Sequence, residues 1–129
     1  MTNFTKLIQL HDAVFTVGQK LSQSDGIVIS DNGYMYYGNI ENNALNYWNV
    51  STPLTIATQH FLFENDERFQ WQDTFGFDNS GSLLLVSNRL QLMPNSYDFS
   101  GNSGSNFRIY SFNIDGYSYM QGALNQNKK

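Results

Sequence analysis

Short runs of aromatic and β-branched residues alternate with turns rich in Asn, Asp, Ser and Gly along most of this chain. Runs of this length joined by such turns are typical of β-hairpins. The first two runs flank a turn at 31–33, and a second such pair flanks a turn at 79–81. The pattern therefore predicts two antiparallel units of three strands each. The predicted strands are residues 26–30, 34–38, 45–48, 74–78, 82–86 and 107–112.

The two units repeat one another. Asp25 precedes the first hairpin and Asp73 the second, and these two residues have the same spacing as the turn glycines Gly33 and Gly81. A period of about 40 to 50 residues is that of β-propeller blades. We predict an all-β fold, a partial β-propeller of about two blades, in a single domain.

That domain covers residues 1–129 and divides into four parts. They are an N-terminal strand and linker (1–21), a first blade unit (22–60), a second blade unit (61–115) and a C-terminal tail (116–129). Residues 6–17 fit either a short helix or a strand end, and both interpretations stay open. Residues 91–105 are rich in Asn, Ser, Gly and Pro, which predicts an irregular surface loop.

Composition agrees with this fold and limits the partners. Of 129 residues, 16% are aromatic and only 14% charged, as suits a β core. Two blades leave an apolar flank open at each end, so the remaining blades or further copies of the chain must cover them. We favour an incomplete chain over self-assembly.

Several classes of partner are not expected. The net charge is −4, and the clustered basic residues are the terminal Lys128 and Lys129, so we expect no nucleic-acid partner. No apolar run approaches the roughly 20 residues that cross a bilayer, and the first residues lack a signal-peptide pattern. We expect no membrane partner. The chain has no cysteine, which excludes disulfides within it.

Signatures of catalysis or metal binding are scarce. His11 and His60 are too few and too far apart to indicate a metal site, and we predict neither metal nor cofactor. The turns that contain Asp31 and Asp78 lack the ligand alternation of a calcium loop. Asn, Asp and Gly are also what tight turns require, so we interpret both segments as turns.

Hairpin geometry brings polar residues together at one end of the blades. The second predicted turn places Thr74 opposite Ser87 or Asn88, and the first places Asp25 opposite Asn39. Because blades are related by rotation about the propeller axis, these residues should lie at the same end. If their strands are the inner ones, that end is the mouth of the central channel.

Several segments carry a family resemblance. Residues 71–78 read W-Q-D-T-F-G-F-D, 87–91 read S-N-R-L-Q and 106–109 read N-F-R-I. Upstream, residues 22–24 read S-Q-S and 43–49 read N-A-L-N-Y-W-N. Over roughly residues 15–115 the chain resembles the yellow and major royal jelly protein family. It departs from the family pattern at Gln72, where many members have Pro, and at Tyr47, where many have Cys.

The resemblance implies a six-bladed propeller and a binding site. In amine-binding members, a Thr, the Asn of an N-R-[LF] segment and the apolar residue two positions after that Asn help to hold a small aromatic amine. These positions correspond to Thr74, Asn88 and Leu90. With Asp25 and Asn39 they form our predicted ligand site, which would bind a small aromatic or biogenic amine at the channel mouth.

Alternatives to amine binding stay open. Some family members are dopachrome tautomerases of melanin formation, a reaction that needs a base such as Asp25, Asp73 or His60. A structural or nutritive protein without catalysis is a third class, so whether the chain is an enzyme is left undecided. Asn88 and Thr74 would also suit a purely structural role, in which they bind backbone groups at strand ends.

The family is typically secreted, so the resemblance implies an extracellular protein. Asn3 and Asn49 begin the N-glycosylation sequons N-F-T and N-V-S, which are compatible with a secreted glycoprotein.

Four further side chains have predicted roles. Arg89 is expected to pair with Asp73 or to bind carbonyls between blades. Trp48 and Trp71 are expected in the core between blades. Arg108 is expected to alternate outward from an apolar strand face and to form a surface ion pair.

Overall fold

A computed structural model describes residues 14–121. In this range the chain forms seven strands in two antiparallel sheets, together with two short 3-10 turns, Ile56–Thr58 and Leu90–Leu92. This architecture confirms the predicted all-β fold of propeller-blade type. The strands are β1 (Ile27–Ile29), β2 (Tyr34–Asn39), β3 (Ala44–Asn49), β4 (Gln59–Glu64), β5 (Gln72–Phe77), β6 (Ser82–Ser87) and β7 (Arg108–Asn113).

The first sheet has the order β1-β2-β3-β4. Ile27 pairs with Tyr37, the register that the first turn predicts. The three strands predicted here are confirmed, but β4 was missed, and it carries the sheet past the predicted blade boundary at residue 60 to Glu64. A bulge between Leu45 and Asn46 shifts the pairing of β3 with β4. Because of that shift, β4 lacks the clean alternation that marks a strand in a sequence.

The second sheet has the order β5-β6-β7, and its three strands were all predicted. Phe77 pairs with Leu83, but Thr74 pairs with Val86. The predicted pairing of Thr74 with Ser87 or Asn88 is therefore wrong. The reason is the turn at 79–81, where the Asp78 N–H donates to the Ser82 carbonyl at 3.1 Å and so sets Thr74 opposite Val86. Beyond that pair, a bulge between Gln72 and Thr74 adds one residue to β5.

The two sheets meet along β1, β2 and β5. A Cβ added to Gly26 would lie 2.0 Å from the Asp73 carbonyl oxygen, and one added to Gly38 would lie 2.7 Å from the Gln72 Cβ. Backbones approach this closely only where no side chain intervenes. The first strand of each blade therefore faces its counterpart, as inner strands do around a propeller axis.

An apolar core fills the space between the sheets. Leu45, Leu83, Leu85 and Phe69 are completely buried there. The Phe69 ring meets Tyr110 edge-on at 4.8 Å between centroids. Each large side chain buried in this way stabilises the fold by about 1.5 to 3 kcal/mol relative to exposure. The core holds the two blades in a fixed relation to each other.

The opposite face of the first sheet has a smaller cluster. Trp48 is buried there with Met35, Tyr37 and Leu54. Trp48 is therefore buried on the face of the first sheet that points away from the second sheet, and its predicted place in a core between blades stays a prediction. The Tyr37 hydroxyl donates a hydrogen bond to the Gln59 side-chain oxygen, and this bond joins the cluster to β4.

The opposite face of the second sheet is open. Leu84, Val86 and Ile109 lie on it, and Ile109 is 76% exposed. Arg108 lies instead on the same face as the core residue Tyr110, so the predicted outward alternation of Arg108 is wrong. The reason is that the outward face of β7 has no sheet packed on it in residues 14–121. We call this surface, formed by Leu84, Val86 and Ile109, the open flank.

The chain after β7 returns to the first sheet. The Tyr117 amide donates to the Asp31 carboxylate at 2.9 Å, and the Asp31 amide donates to the Tyr117 carbonyl at 2.8 Å. Residues 91–105 form turns and bends on the surface, as predicted. Residues 14–17 are neither helix nor strand, and the rest of the ambiguous 6–17 segment lies outside the described residues.

Candidate functional site

Asp73 is the extra residue of the β5 bulge and is held from two sides. The Asn88 side-chain amide donates to one Asp73 carboxylate oxygen at 3.0 Å. The Thr74 hydroxyl donates to the other at 3.2 Å. Thr74 and Asn88, which the sequence analysis grouped by strand pairing, are therefore brought together through a carboxylate. Bulges often re-aim a side chain in this way next to functional sites.

Asn88 is 5% exposed and uses both ends of its amide. Its Oδ1 accepts a hydrogen bond from the Leu90 backbone N–H at 2.8 Å, while its Nδ2 holds Asp73. Leu90 begins a 3-10 turn and is 44% exposed. Asn88 thus orients the carboxylate and fixes the start of the turn that carries Leu90.

Asp25 accepts a hydrogen bond from the Trp71 indole Nε1 at 2.9 Å, across the boundary between the two blades. The backbone of Trp71 has a φ of 48°, in the left-handed region that bulky residues rarely adopt. The Asn88 backbone N–H donates to the Trp71 carbonyl at 3.0 Å. Trp71 is therefore held from both blades at their boundary, but it is half-buried and belongs to neither hydrophobic cluster, so its predicted place in the core is wrong. Strained backbone of this kind concentrates at functional sites.

Asn39 is completely buried at the end of β2. Its Oδ1 accepts from the Asn42 backbone N–H at 3.1 Å, and its Nδ2 has no partner among residues 14–121. The register of β1 and β2 continues toward Asp25 through a bond from the Gly38 N–H to the Gly26 carbonyl at 3.4 Å. The structure thus gives Asn39 a role in the turn after β2, and its contact with a ligand stays a prediction.

One end of the two blades gathers most of the predicted site. Asp25, just before β1, and Asp73, in β5, are neighbours there, because Gly26 packs against the Asp73 backbone. Thr74, Asn88 and Leu90 adjoin Asp73 through the bonds described above. We call this group, formed by Asp25, Asp73, Thr74, Asn88 and Leu90, the mouth site.

The ligand site predicted from the sequence shares Asp25, Thr74, Asn88 and Leu90 with the mouth site, but it contained Asn39 and lacked Asp73. Asp73 had been considered as a base and as a partner of Arg89. Arg89 instead donates to the Ser103 carbonyl at 3.0 Å and so fixes the surface loop, which makes the pairing with Asp73 wrong. The signal that could have pointed to Asp73 was its position at the start of a repeat, matching that of Asp25.

The mouth site has negative charge without a basic partner. Among residues 14–121, the ion pair present is Arg68 with Glu67 at 3.9 Å, and neither residue belongs to the mouth site. The Asp25 and Asp73 carboxylates at this end of the blades therefore form no ion pair with a Lys or Arg of the described residues, and they make this surface acidic. Such a surface attracts cations.

A second concave region lies on the side of the blades. Cavities of about 230 and 310 Å³ adjoin each other there and share Tyr34 and Tyr47 in their walls. Burial raises the pKa of Tyr36, and the nearby Tyr34 and Tyr47 hydroxyls raise it further, so the Tyr36 phenol stays neutral. We call this region, lined by Tyr34, Tyr36, Tyr47, Asn49 and His60, the tyrosine cleft.

The three candidate bases do not lie together. His60 is exposed on β4 opposite Tyr47, with ring centroids 5.3 Å apart, in the tyrosine cleft. Asp25 and Asp73 belong to the mouth site. Across residues 14–121 no group of three or more His, Asp or Glu side chains is arranged to hold a metal ion.

Comparison with known proteins identifies the family. The model of the major royal jelly protein family matches residues 3–122. The chain belongs to the major royal jelly protein family. The match covers both blades and all residues of the mouth site. Comparison with individually curated proteins gave no match. In the part of this family member that the structure describes, no helix is long and apolar enough to cross a membrane.

Proposed function

We propose that this protein is a secreted member of the major royal jelly protein family that binds a small aromatic or biogenic amine at the mouth site. The observation that carries the proposal is the Asp73 carboxylate, which Asn88 and Thr74 hold at the start of β5 beside Asp25. Secretion is proposed from family membership.

A protonated amine suits this site for electrostatic reasons. An ammonium group donates three hydrogen bonds and carries a positive charge, and carboxylates are the strongest acceptors for it. The Asn88 amide already serves Asp73 and Leu90, so we assign Asn88 to orienting the carboxylate. The ammonium group would contact Asp73 and Asp25, with the Thr74 hydroxyl as a further acceptor.

An aromatic ring on the ligand would need apolar walls, and two side chains supply them. Leu90 is 44% exposed beside Asn88. Trp71 is half-buried at the boundary between the blades, and its indole offers the aromatic face that Leu90 lacks. Thr74 borders the open flank, so the remaining blades, or further copies of the chain, would complete the outer wall of the site.

The proposal is tested by calorimetric titration with tyramine and with 4-ethylphenol, which has the same ring but no amino group. We expect tyramine to bind and 4-ethylphenol to bind at least tenfold more weakly. Asp73→Asn should weaken tyramine binding about tenfold or more, the loss expected when a hydrogen bond to a charged group is removed. Asn88→Ala should weaken it as well while the protein stays folded.

Asp115→Asn is the matched control for this titration. Asp115 is exposed at the opposite end of the blades, and Asn tolerates its left-handed φ of 49°. The affinity of the Asp115→Asn variant for tyramine should equal that of the wild-type protein. Equal binding of tyramine by folded wild type and Asp73→Asn would contradict the proposal.

The enzymatic alternative is followed in the same samples. Dopachrome absorbs visible light, so a tautomerase would remove its colour faster than buffer alone. Decolourisation lost in Asp25→Asn or Asp73→Asn would assign the mouth site to catalysis. Absence of both binding and decolourisation would favour the structural or nutritive class.

A further inference from the structure

We propose that the tyrosine cleft seats the first sugar of an N-linked glycan carried by Asn49 of the same chain. The proposal concerns a modification site and an intramolecular sugar contact, and it does not depend on amine binding at the mouth site. It rests on where the sequon Asn49-Val50-Ser51 lies relative to the aromatic residues of the cleft.

Asn49 is accessible and suitably held for modification. It is the last residue of β3, half-buried, and followed by the exposed residues Val50 and Ser51. The Ser51 hydroxyl and backbone N–H donate to the Asn49 Oδ1 at 2.7 and 2.9 Å. Both bonds use the oxygen, so they leave Nδ2 to carry the sugar.

Strand geometry directs the glycan into the cleft. Side chains two residues apart on a strand share one face, so Asn49 lies on the same face as Tyr47. Asn49 pairs directly with Tyr34, and Tyr47 pairs with His60. Asn49 also lines the cavity of about 310 Å³ together with these three rings. A sugar attached at Nδ2 therefore begins beside the rings rather than above open solvent.

The chemistry of the cleft fits a neutral sugar better than a charged ligand. Its walls combine tyrosine faces with neutral hydrogen-bonding groups, among them Thr52, Thr58 and Asn49. No Asp, Glu, Lys or Arg side chain lines either cavity, and His60 is the titratable nitrogen group in their walls. The C–H face of a pyranose can pack on Tyr47, while its hydroxyl and acetamido groups can bond to the Thr side chains.

The covalent step is the ordinary transfer in the secretory pathway from a lipid diphosphate-linked oligosaccharide. The Asn49 Nδ2 forms a bond to C1 of the first sugar, and the bond from C1 to the diphosphate oxygen breaks. The lipid diphosphate leaves, and the amide proton passes to a base of the transferase. The cleft acts after this transfer and takes no part in it.

The first test is the occupancy of Asn49. The protein is secreted from an insect-cell host as the variant Asn3→Gln, which removes the other sequon, and its intact mass is measured before and after enzymatic deglycosylation. We expect a mass loss equal to one glycan, and none in the variant that also carries Asn49→Gln. An unmodified Asn49 in the folded, secreted protein would overturn the proposal.

The second test asks whether the sugar sits in the cleft. The glycan is trimmed to a single isotopically labelled N-acetylglucosamine, and its proton chemical shifts are compared with those of a free glycosylated Asn49-Val50-Ser51 peptide. Packing on tyrosine rings should move ring or acetyl resonances upfield. Tyr47→Leu should abolish that shift while Asn49 stays occupied.

His60→Ala serves as a second variant, because His60 is exposed and its removal should leave the fold intact. It should reduce the upfield shift without abolishing it. Shifts equal to those of the free peptide in the folded wild-type protein would show a glycan that extends into solvent, and would overturn the seating of the sugar.

Discussion

The two faces of the second sheet are built from the same three strands but differ sharply in burial. Leu83 and Leu85 are completely buried against the first sheet, whereas Ile109 on the open flank is 76% exposed. β6 carries branched apolar residues on both faces, so its sequence does not distinguish the covered face from the open one. The apolar residues of β6 on both faces indicate that the sheet can be packed from both sides. The first sheet packs against one of these faces.

This comparison bears on function because the mouth site lies at the border of the two faces. Asp25 and Trp71 contact each other across the covered side, and Thr74 lies toward the open flank. The interface between the two sheets therefore fixes the part of the site that contains Asp25 and Trp71. The part that contains Thr74 depends on what packs against the open flank. Substitutions that treat the two faces differently test this comparison directly.

The largest effect is expected from shortening neighbouring leucines on opposite faces of β6. Leu85→Ala leaves a cavity in a completely buried position and should lower the free energy of unfolding by about 3 kcal/mol. Leu84→Ala changes the same side chain on the open flank and should cost about 1 kcal/mol or less. Urea unfolding followed by circular dichroism measures both.

Equal losses in these two variants would mean that the open flank is already covered in solution. That outcome would be followed by light scattering, since association with another copy would bury Leu84 as fully as Leu85. A folded monomer with equal losses would contradict the comparison itself.

A smaller effect on stability is expected from substituting two glycines. Gly26 lies where the two sheets meet, and Gly76 lies on the face of the open flank. A Cβ at Gly26 would meet the Asp73 carbonyl oxygen at 2.0 Å, so Gly26→Ala must push the inner strands apart. We expect a loss of about 2 kcal/mol, as for an overpacked core. Gly76→Ala has nothing within 4 Å of its new Cβ, and should be neutral or stabilise β5 by about 0.5 kcal/mol.

Because Gly26 adjoins the mouth site, Gly26→Ala should also weaken tyramine binding, whereas Gly76→Ala should not. Thermal unfolding and calorimetric titration on the same samples measure the two effects. Retained stability in Gly26→Ala would show that the blades are less closely apposed than the structure describes.

The smallest effect is expected at the turn that joins β5 to β6 and so belongs to neither face. Hydrogen bonds from the Ser82 backbone N–H and the Ser80 hydroxyl lower the pKa of Asp78 below its ordinary value of 3.8. A depressed carboxyl pKa stabilises the fold above the ordinary pKa, and the contribution is lost as pH falls through the folded-state pKa. Stability should therefore decline below about pH 4.

Asp78→Asn removes this titration and should flatten the acid limb of the thermal midpoint against pH, with little change in the buried core. The control is Asp115→Asn. It removes an exposed carboxylate but keeps the hydrogen bonds that Asp78 makes in the turn. An unchanged acid limb in Asp78→Asn would show that the bonds to Ser80 and Ser82 do not persist in solution.

The fold could be predicted from the sequence because its hairpins are marked locally. Gly33 and Gly81 adopt φ values of 83° and 87°, which glycine accepts without strain, and branched and aromatic runs flank both turns. β4 could not be found in this way, because Leu62 is an extra residue in its pairing with β3, and the exposed Phe61 and Leu62 do not alternate with polar residues.

Four residues of the mouth site, Asp25, Thr74, Asn88 and Leu90, could be named from the sequence, whereas the central place of Asp73 could not, and ligand binding by any of them stays a prediction. Hairpin counting brought Thr74 and Asn88 to one end, but it placed the register one residue too far, because the turn at 79–81 sets Thr74 opposite Val86. A bulge between Gln72 and Thr74, which has no mark in the sequence, then adds one residue to β5. The same bulge places Asp73 between them. The prediction for Arg108 was wrong for another reason. Alternation shows that the two faces of a strand differ, but it does not show which of them packs against a neighbouring sheet.

The return of the chain from β7 to Asp31 has a consequence for the order of folding. The bond between Tyr117 and Asp31 joins residues 86 positions apart, whereas each hairpin closes over a few residues. Closing a long loop costs more chain entropy and waits for the elements between to form. We therefore expect pulse-labelled hydrogen exchange to protect the hairpin amides first and the Tyr117 amide last, as the step that locks one blade to the other.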